Sequence, residues 1–323
     1  MSGTDSAEAG TGGQAGTLAR DRRLAELGVL IVMVFWAGNF IVVKSAVGIL
    51  PPVGFTFLRF SLAAATLFVL LRWREGAIRL SREDLAALVA LGIVGFGCYQ
   101  IIWPVALQTI PAGDSALLIA TTPVLTALLA VVAGADVLNP VKLVGALISF
   151  VGVAVVIAAG QGLNLGVSLG GDLLTVAAAS CWAIYSVFGM RVLARHSPLV
   201  ATTWALAAGT LFLAPIGIAQ LVTTDFAGFG LPTLLAILYS GMLSAGFANV
   251  VVVQGLKMLG PTQVTALQAL VPALAVVLAA IFLGEAIRPL QVVGGMVILA
   301  GVFLVRRGAL PGWSSVAGRG SAG

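Results

Sequence analysis

Apolar residues fall in ten long runs separated by short polar breaks: 26–46, 53–72, 84–107, 113–133 and 141–159, then 171–191, 199–222, 232–256, 263–283 and 288–306. Each is about as long as the 20 residues a helix needs to cross a bilayer. Helices are the expected spanning form, because every backbone group must be satisfied within its own segment. Apolar and polar residues do not alternate with period two, which excludes a barrel. Several loops open on proline (Pro51, Pro111, Pro198, Pro261), and the connections 107–113 and 256–263 are tight enough to make hairpins. A Gly- and Asn-rich stretch, Gly160 to Gly171, joins two halves of five runs each.

The halves repeat. A shift of 149 superimposes Gly97 on Gly246, Leu107 on Leu256, Pro123 on Pro272, Pro140 on Pro289, Gly145 on Gly294 and Gly152 on Gly301. An acid, Asp136 or Glu285, stands four residues before the same proline in both copies. Chance matches in apolar sequence would not hold Pro, Gly and an acid in one register, so the period marks a duplication. Five spans per copy give the second copy the opposite orientation, an inverted repeat. The expected organisation is a disordered cytoplasmic tail over 1–25, a first repeat over 26–160, a linker loop over 161–170, a second, inverted repeat over 171–307 and a cytoplasmic tail over 308–323. The fold class is all-α and polytopic. Gly145 and Gly152, like Gly294 and Gly301, lie seven apart on one helix face, so the fifth and tenth helices read as packing struts without substrate contacts.

Composition agrees: 60% of residues are hydrophobic and 9% charged, against about 25% charged in soluble domains, and mean hydropathy is +1.11. The net charge of +5 does not indicate nucleic acid, because the basic residues sit at span ends. With the N-terminus in the cytoplasm, fourteen of the seventeen Lys and Arg fall inside, leaving only Lys44, Arg59 and Arg288 elsewhere. That bias places both termini in the cytoplasm of a multi-pass plasma (inner) membrane protein. Arg20, Arg22 and Arg23 before an apolar run resemble a signal peptide, but the run is long and precedes nine more spans, so it reads as an uncleaved helix. Cys98 and Cys181 lie inside spans without metal-ligand spacing and read as packing residues.

Ionisable residues in hydrocarbon are costly and face a cavity or a partner. Arg59, flanked by Phe57, Leu58 and Phe60 in span two, either fixes an anionic group of a substrate or bonds helix-end carbonyls and snorkels outward. Lys44 reads as interfacial. Trp36 and Asn39 in span one, Tyr99, Gln100 and Trp103 in span three, and Trp182 and Tyr185 in span six offer aromatic walls and amides; an interfacial aromatic belt is the competing reading. Trp36 and Trp182 occupy comparable places in the two halves. Asn249, Thr265 and Gln268 add neutral hydrogen bonding, and Thr121 and Thr122 before Pro123, like Thr265 and Gln268 before Pro272, sit where a helix is broken. Either the exposed carbonyls meet a ligand or the threonines satisfy the kink locally. Asp114 reads as a helix N-terminal charge, and Asp136 and Glu285 as pairing or capping residues. The one histidine, His196, excludes a metal cluster, and without a P-loop or a strand before GIVGFG no nucleotide site is expected. No cofactor and no enzyme activity follow.

FWAGNFIVVKSA at Phe35–Ala46 and PPVGFTFLRFSLAA at Pro51–Ala64 resemble the first two helices of EamA-type transporters, in the drug/metabolite transporter superfamily. The proline in span four or nine, the following acid and proline, and the glycine-bearing last helix are similar to that family's repeat. The resemblance covers roughly 26 to 307 and implies a ten-helix bundle with a central cavity, working by alternating access, in a family whose members move amino acids, other metabolites or toxic compounds. The expectation is a secondary transporter exporting a small organic metabolite, an amino acid or related compound, with Trp36, Asn39, Arg59, Tyr99, Gln100, Trp103, Trp182, Tyr185, Asn249, Thr265 and Gln268 around it. It would act as a monomer or weak dimer in the lipid bilayer, without nucleic acid. Multidrug efflux and a non-transporting membrane scaffold or sensor are the alternatives.

Overall fold

The structure, a computed structural model, describes residues 5–76, 79–161, 167–226, 229–259, 264 and 267–308. Helix is the only regular secondary structure among them. Among the described residues nine helices are long and apolar enough to span: α1 (Arg20–Ala46), α2 (Pro52–Arg74), α3 (Arg82–Thr109), α4 (Ala112–Val132), α5 (Pro140–Ala159), α6 (Leu169–Val192), α7 (Pro198–Val222), α8 (Leu231–Val252) and α10 (Pro289–Arg307). The tenth, α9 (Leu270–Leu283), is shorter in its described part. The helical backbone that contains α1 begins at Asp5. The protein is therefore an all-α polytopic membrane protein. Large apolar side chains such as Val69, Leu211, Ile281 and Phe282 face outward, as a lipid-facing surface requires.

Local sequence explains the helix ends. Proline opens α2, α5, α7 and α10, where a missing N–H costs nothing. Ser81 and Ser197 cap α3 and α7 by accepting from Asp84 N at 3.0 Å and Val200 N at 3.2 Å. Past α4 and α9 the chain reverses on glycines in the left-handed region, Gly134 at φ 69° and Gly284 at φ 66°, a conformation other residues rarely adopt. Helix α4 is interrupted at Ala120–Thr121, and there the threonine hydroxyls return to carbonyls of their own turn, Thr121 to Leu118 at 2.7 Å and Thr122 to Ile119 at 2.6 Å. The local reading of this kink is the one realised.

The strut pair sets the symmetry. Helices α5 and α10 run antiparallel with their glycines in contact. A Cβ built on Gly145 would lie 2.8 Å from the carbonyl oxygen of Gly301, and one on Gly152 would lie 2.8 Å from that of Gly294. The shift of 149 converts the first contact into the second. Two antiparallel helices exchanged in this way are related by a two-fold axis perpendicular to them, hence in the plane of the membrane.

A second pair of contacts extends the symmetry. Helices α3 and α8 each contain a π-helical segment, Ile93–Cys98 and Tyr239–Phe247, which the shift of 149 overlaps. At one end of each segment a glycine packs on a neighbouring backbone: a Cβ on Gly92 would lie 2.2 Å from Ala205 O, and one on Gly241 would lie 2.6 Å from Arg59 O. These contacts are mates if α1 and α2 map onto α6 and α7 with a shift of 146, which also superimposes Trp36 on Trp182, Pro52 on Pro198 and Thr56 on Thr202. Arg59 then stands where the second repeat has Ala205.

Charges close the helix ends, some within one repeat and some between the two. Glu285 accepts from Ala112 N at 2.7 Å and Gly113 N at 3.1 Å, capping α4. Its mate Asp136 accepts from Lys142 Nζ at 2.6 Å. Asp114 takes 2.6 Å from Gln291 Nε2, so the cap of this helix is Glu285 rather than its own aspartate. Lys44 is not free at the surface; its ammonium donates to Leu107 O at 2.5 Å and Ile110 O at 2.8 Å, closing the end of α3.

Leucine in place of Gly301 should destabilise the protein by about 1–3 kcal/mol, the usual cost of overpacking, and lower its melting temperature in detergent. Gly189→Ala, where an added Cβ meets no atom within 4 Å, should leave the melting temperature within error.

Candidate substrate chamber

Arg59 lies seven residues into α2, about 10 Å from its first turn, and is only 2% exposed. It is held there by side chains from three other helices. Nη1 donates to Ser240 Oγ on α8 at 2.9 Å, and Nη2 donates to Gln100 Oε1 on α3. Ser240 in turn donates to Asn39 Oδ1 on α1 at 2.6 Å. Phe60 lies under the guanidinium at 4.6 Å, with Phe55 and Trp103 at 5.8 and 6.0 Å. Nε is buried without a hydrogen-bond partner. No carboxylate pairs with Arg59 among the described residues.

The balance of these terms decides what the site lacks. An arginine at mid-helix in a membrane costs roughly 3 kcal/mol or more. Cation–π contact returns about 1–2 kcal/mol when desolvated, and neutral acceptors return about 1–2 kcal/mol each. The cation is tolerated by neutral partners and left without its natural counter-charge. Snorkelling is excluded by its burial, and its bonds go to side chains, not to helix-end carbonyls.

An aromatic wall runs away from this point. Tyr99 and Trp103 stack with centroids 5.9 Å apart, Tyr99 meets Trp182 at 5.9 Å, and Trp182 meets Tyr185 at 5.1 Å. Phe96 contacts Trp182, Tyr185 and Phe60 edge-on at 5.5, 5.2 and 6.0 Å. The polar edges are anchored: Trp103 Nε1 donates to Ser115 Oγ at 3.0 Å, and Trp36 Nε1 donates to Ser244 O at 3.1 Å. Ser244 belongs to the π-helical segment of α8, where a displaced carbonyl is open to a side-chain donor.

Toward the Arg74 end, a cavity of about 230 Å³ opens between α2, α7 and α8. Arg74, Glu75, Leu199, Thr202, Asn249 and Gln254 are among the residues lining it. Tyr185 lies beside Thr202 in its wall, so the aromatic wall ends at this vestibule.

Eight sequence candidates thus converge: Trp36, Asn39, Arg59, Tyr99, Gln100, Trp103, Trp182 and Tyr185. Asn249 lies apart, turned to its own Ala245 O at 2.6 Å and lining the vestibule. Gln268 is half-buried without a hydrogen bond to these residues among those described. Thr265 lies outside the described residues. Sequence reasoning missed Ser240, Phe96 and Thr202. Ser240 precedes Gly241, the mate of Gly92, and Thr202 is the mate of Thr56, so the internal register was the signal available for both.

An antiparallel duplication of membrane helices around a buried cluster of polar and aromatic side chains is the architecture of inverted-repeat membrane transporters. The sequence profile of the EamA-like transporter family matches residues 23–158 and again 169–307, and the chain belongs to that family. It is 32% identical to an uncharacterized transporter of Archaeoglobus fulgidus over 85% of this chain and 94% of the relative. It is 29% identical to the threonine/homoserine exporter RhtA of Escherichia coli K12 over 84% and 88%, and 29% identical to a probable terminal-alkyne amino-acid exporter of Streptantibioticus cattleyicolor over 87% and 93%. A solved crystal structure shares the fold with a TM-score of 0.62 at 21% identity, over 87% of this chain and 98% of its own.

Trp103→Phe and Ser115→Ala should each lower thermal stability, and the double variant should lose less than their sum. The interaction energy expected from one buried hydrogen bond is about 1 kcal/mol, read from a double-mutant cycle of unfolding in detergent.

Proposed function

We propose that the protein exports small amino acids or closely related zwitterions across the inner membrane, with both termini in the cytoplasm. The observation that carries this is Arg59, buried among neutral partners with its Nε–H unfilled. A guanidinium presents a planar fork that fits a carboxylate, and a single one suits a monocarboxylate better than a phosphate. The acceptors beside it, Asn39 Oδ1, Ser240 Oγ and Gln100 Oε1, are placed for the ammonium end of the same molecule. Tyr99, Trp103 and Trp182 supply faces for its apolar part.

Direction and orientation rest on other support. The positive-inside bias favours a cytoplasmic Arg74 end, which opens the vestibule to the cytoplasm. The relatives named as exporters of threonine and homoserine, or of an unusual amino acid, favour outward movement of such compounds. The two profile matches favour repeats over 26–160 and 171–307. With the Arg74 end inside, Asn249 and Gln254 meet the substrate first and Arg59 meets it deeper.

The test compares amino acids released by cells expressing the intact protein with those released by cells expressing Arg59→Gln at equal abundance. Intact protein should raise the external level of a few amino acids, and Arg59→Gln should lower that release at least tenfold. Arg59→Lys keeps the charge without the fork and should fall between. Equal release from intact and Arg59→Gln protein would remove Arg59 from the pathway. Resistance to toxic cations without amino-acid release would favour multidrug efflux instead.

A further inference from the structure

The vestibule on the cytoplasmic side has a mate that is closed. Applying the shifts of 146 and 149 to its lining sends Leu199 to Val53, Thr202 to Thr56, Asn249 to Gln100, Arg74 to Gln220 and Glu75 to Leu221. Gln220 and Leu221 of α7 meet α2 at Gly54, beside Val53, and Gln100 of α3 meets α2 at Arg59. There, however, the space is filled. Gln220 Oε1 accepts from Gly54 N at 2.8 Å. A Cβ on Gly54 would lie 3.2 Å from Leu221, and one on Gly217 would lie 2.5 Å from Phe57. Val53 is 3% exposed and Thr56 fully buried.

Two polar atoms in this closed region have no partner: Thr56 Oγ and Arg59 Nε. A buried hydroxyl without a hydrogen bond is costly and marks a place where a ligand or another state completes it. On the open side the equivalent residue, Thr202, lines the vestibule with Tyr185 beside it. The mate of Tyr185 is Asn39, which turns to Ser240 instead and leaves Thr56 unfilled. In inverted repeats the two halves exchange conformations when access alternates, so what is open between α2, α7 and α8 in one state opens between α7, α2 and α3 in the other.

We infer that a second vestibule opens to the outside between α2, α3 and α7, with Thr56, Gln100 and Arg59 as its polar floor, and that the bond from Gly54 N to Gln220 latches it shut. The inference rests on the reading of the Arg59 chamber as the substrate site; the small zwitterion held there leaves by this route. Thr56 serves as an additional binding group, donating to or accepting from the substrate once the latch releases. Gln220 is a gate residue that touches no substrate in the closed state.

The test uses the full chain with Cys98→Ala and Cys181→Ala and a membrane-impermeant, cationic methanethiosulfonate reagent, without any added substrate. Thr56→Cys should be labelled from outside in whole cells, and Thr202→Cys from the cytoplasmic side in inside-out vesicles. Adding Gln220→Ala should raise the outside labelling rate of Thr56→Cys roughly fivefold, the population shift expected when one hydrogen bond holding the closed state is lost. If Thr56→Cys does not accumulate, Val53→Cys on the same wall gives the same reading. Failure of either cysteine to label from outside, or a rate unmoved by Gln220→Ala at equal abundance, overturns the second vestibule. Labelling with the two sides exchanged supports the paired vestibules and overturns the membrane orientation proposed above, so the two ideas fail separately.

Discussion

Inside a bilayer a polar group has no water to turn to, and each must find its partner within the protein or carry a penalty of several kcal/mol. Most of the polar detail of this chain answers that demand. Lys44 closes the carbonyls at the end of α3. Glu285 caps α4 from across the bundle. Trp36 fills the carbonyl that the π-helical segment of α8 sets free. Thr121 and Thr122 repair the break in α4 by themselves. Against so consistent a pattern, the few atoms left without partners carry information, and Arg59 Nε and Thr56 Oγ lie only one helical turn apart on α2.

The repeat supplies the frame on which this chemistry is asymmetric. Close backbone contacts come in mates: α5 with α10 at two glycine pairs, and Gly92 on Ala205 with Gly241 on Arg59. Side chains in the mated positions have diverged. Arg59 corresponds to Ala205, Gln100 to Asn249 and Asn39 to Tyr185. Backbone packing thus preserves the symmetry, while one half holds the charge. A transporter built this way has a single anion-seeking point rather than two.

Much of the fold was legible in the sequence because its signals are local or periodic. Runs of about 20 apolar residues, glycines seven apart and a proline after an acid are statements about one segment and its copy. Arg59, Gln100 and Trp103 could be named because polar and aromatic residues within apolar runs stand out. Ser240 could not, since a lone serine in a membrane helix is common and its value comes from facing Arg59 across 181 positions of sequence. The vestibule was likewise invisible, being a property of where α2, α7 and α8 part. Asn249 was grouped with the chamber because sequence gives residue type but not depth, and about 13 Å of helix separates it from Ser240.

The depth of Arg59 also fixes how the protein meets the membrane potential. Its charge sits about 10 Å inside the end of α2, within the electric field, and it moves whenever that helix rocks. Carrying a full charge across the bilayer against 100 mV is worth about 2.3 kcal/mol. A rocking motion that shifts Arg59 by a tenth of the hydrocarbon thickness therefore gains or loses roughly 0.2 kcal/mol per 100 mV, less than half of RT. A zwitterion of the kind proposed for this site would add no net charge to that movement. Voltage is a weak lever on a displacement of that size.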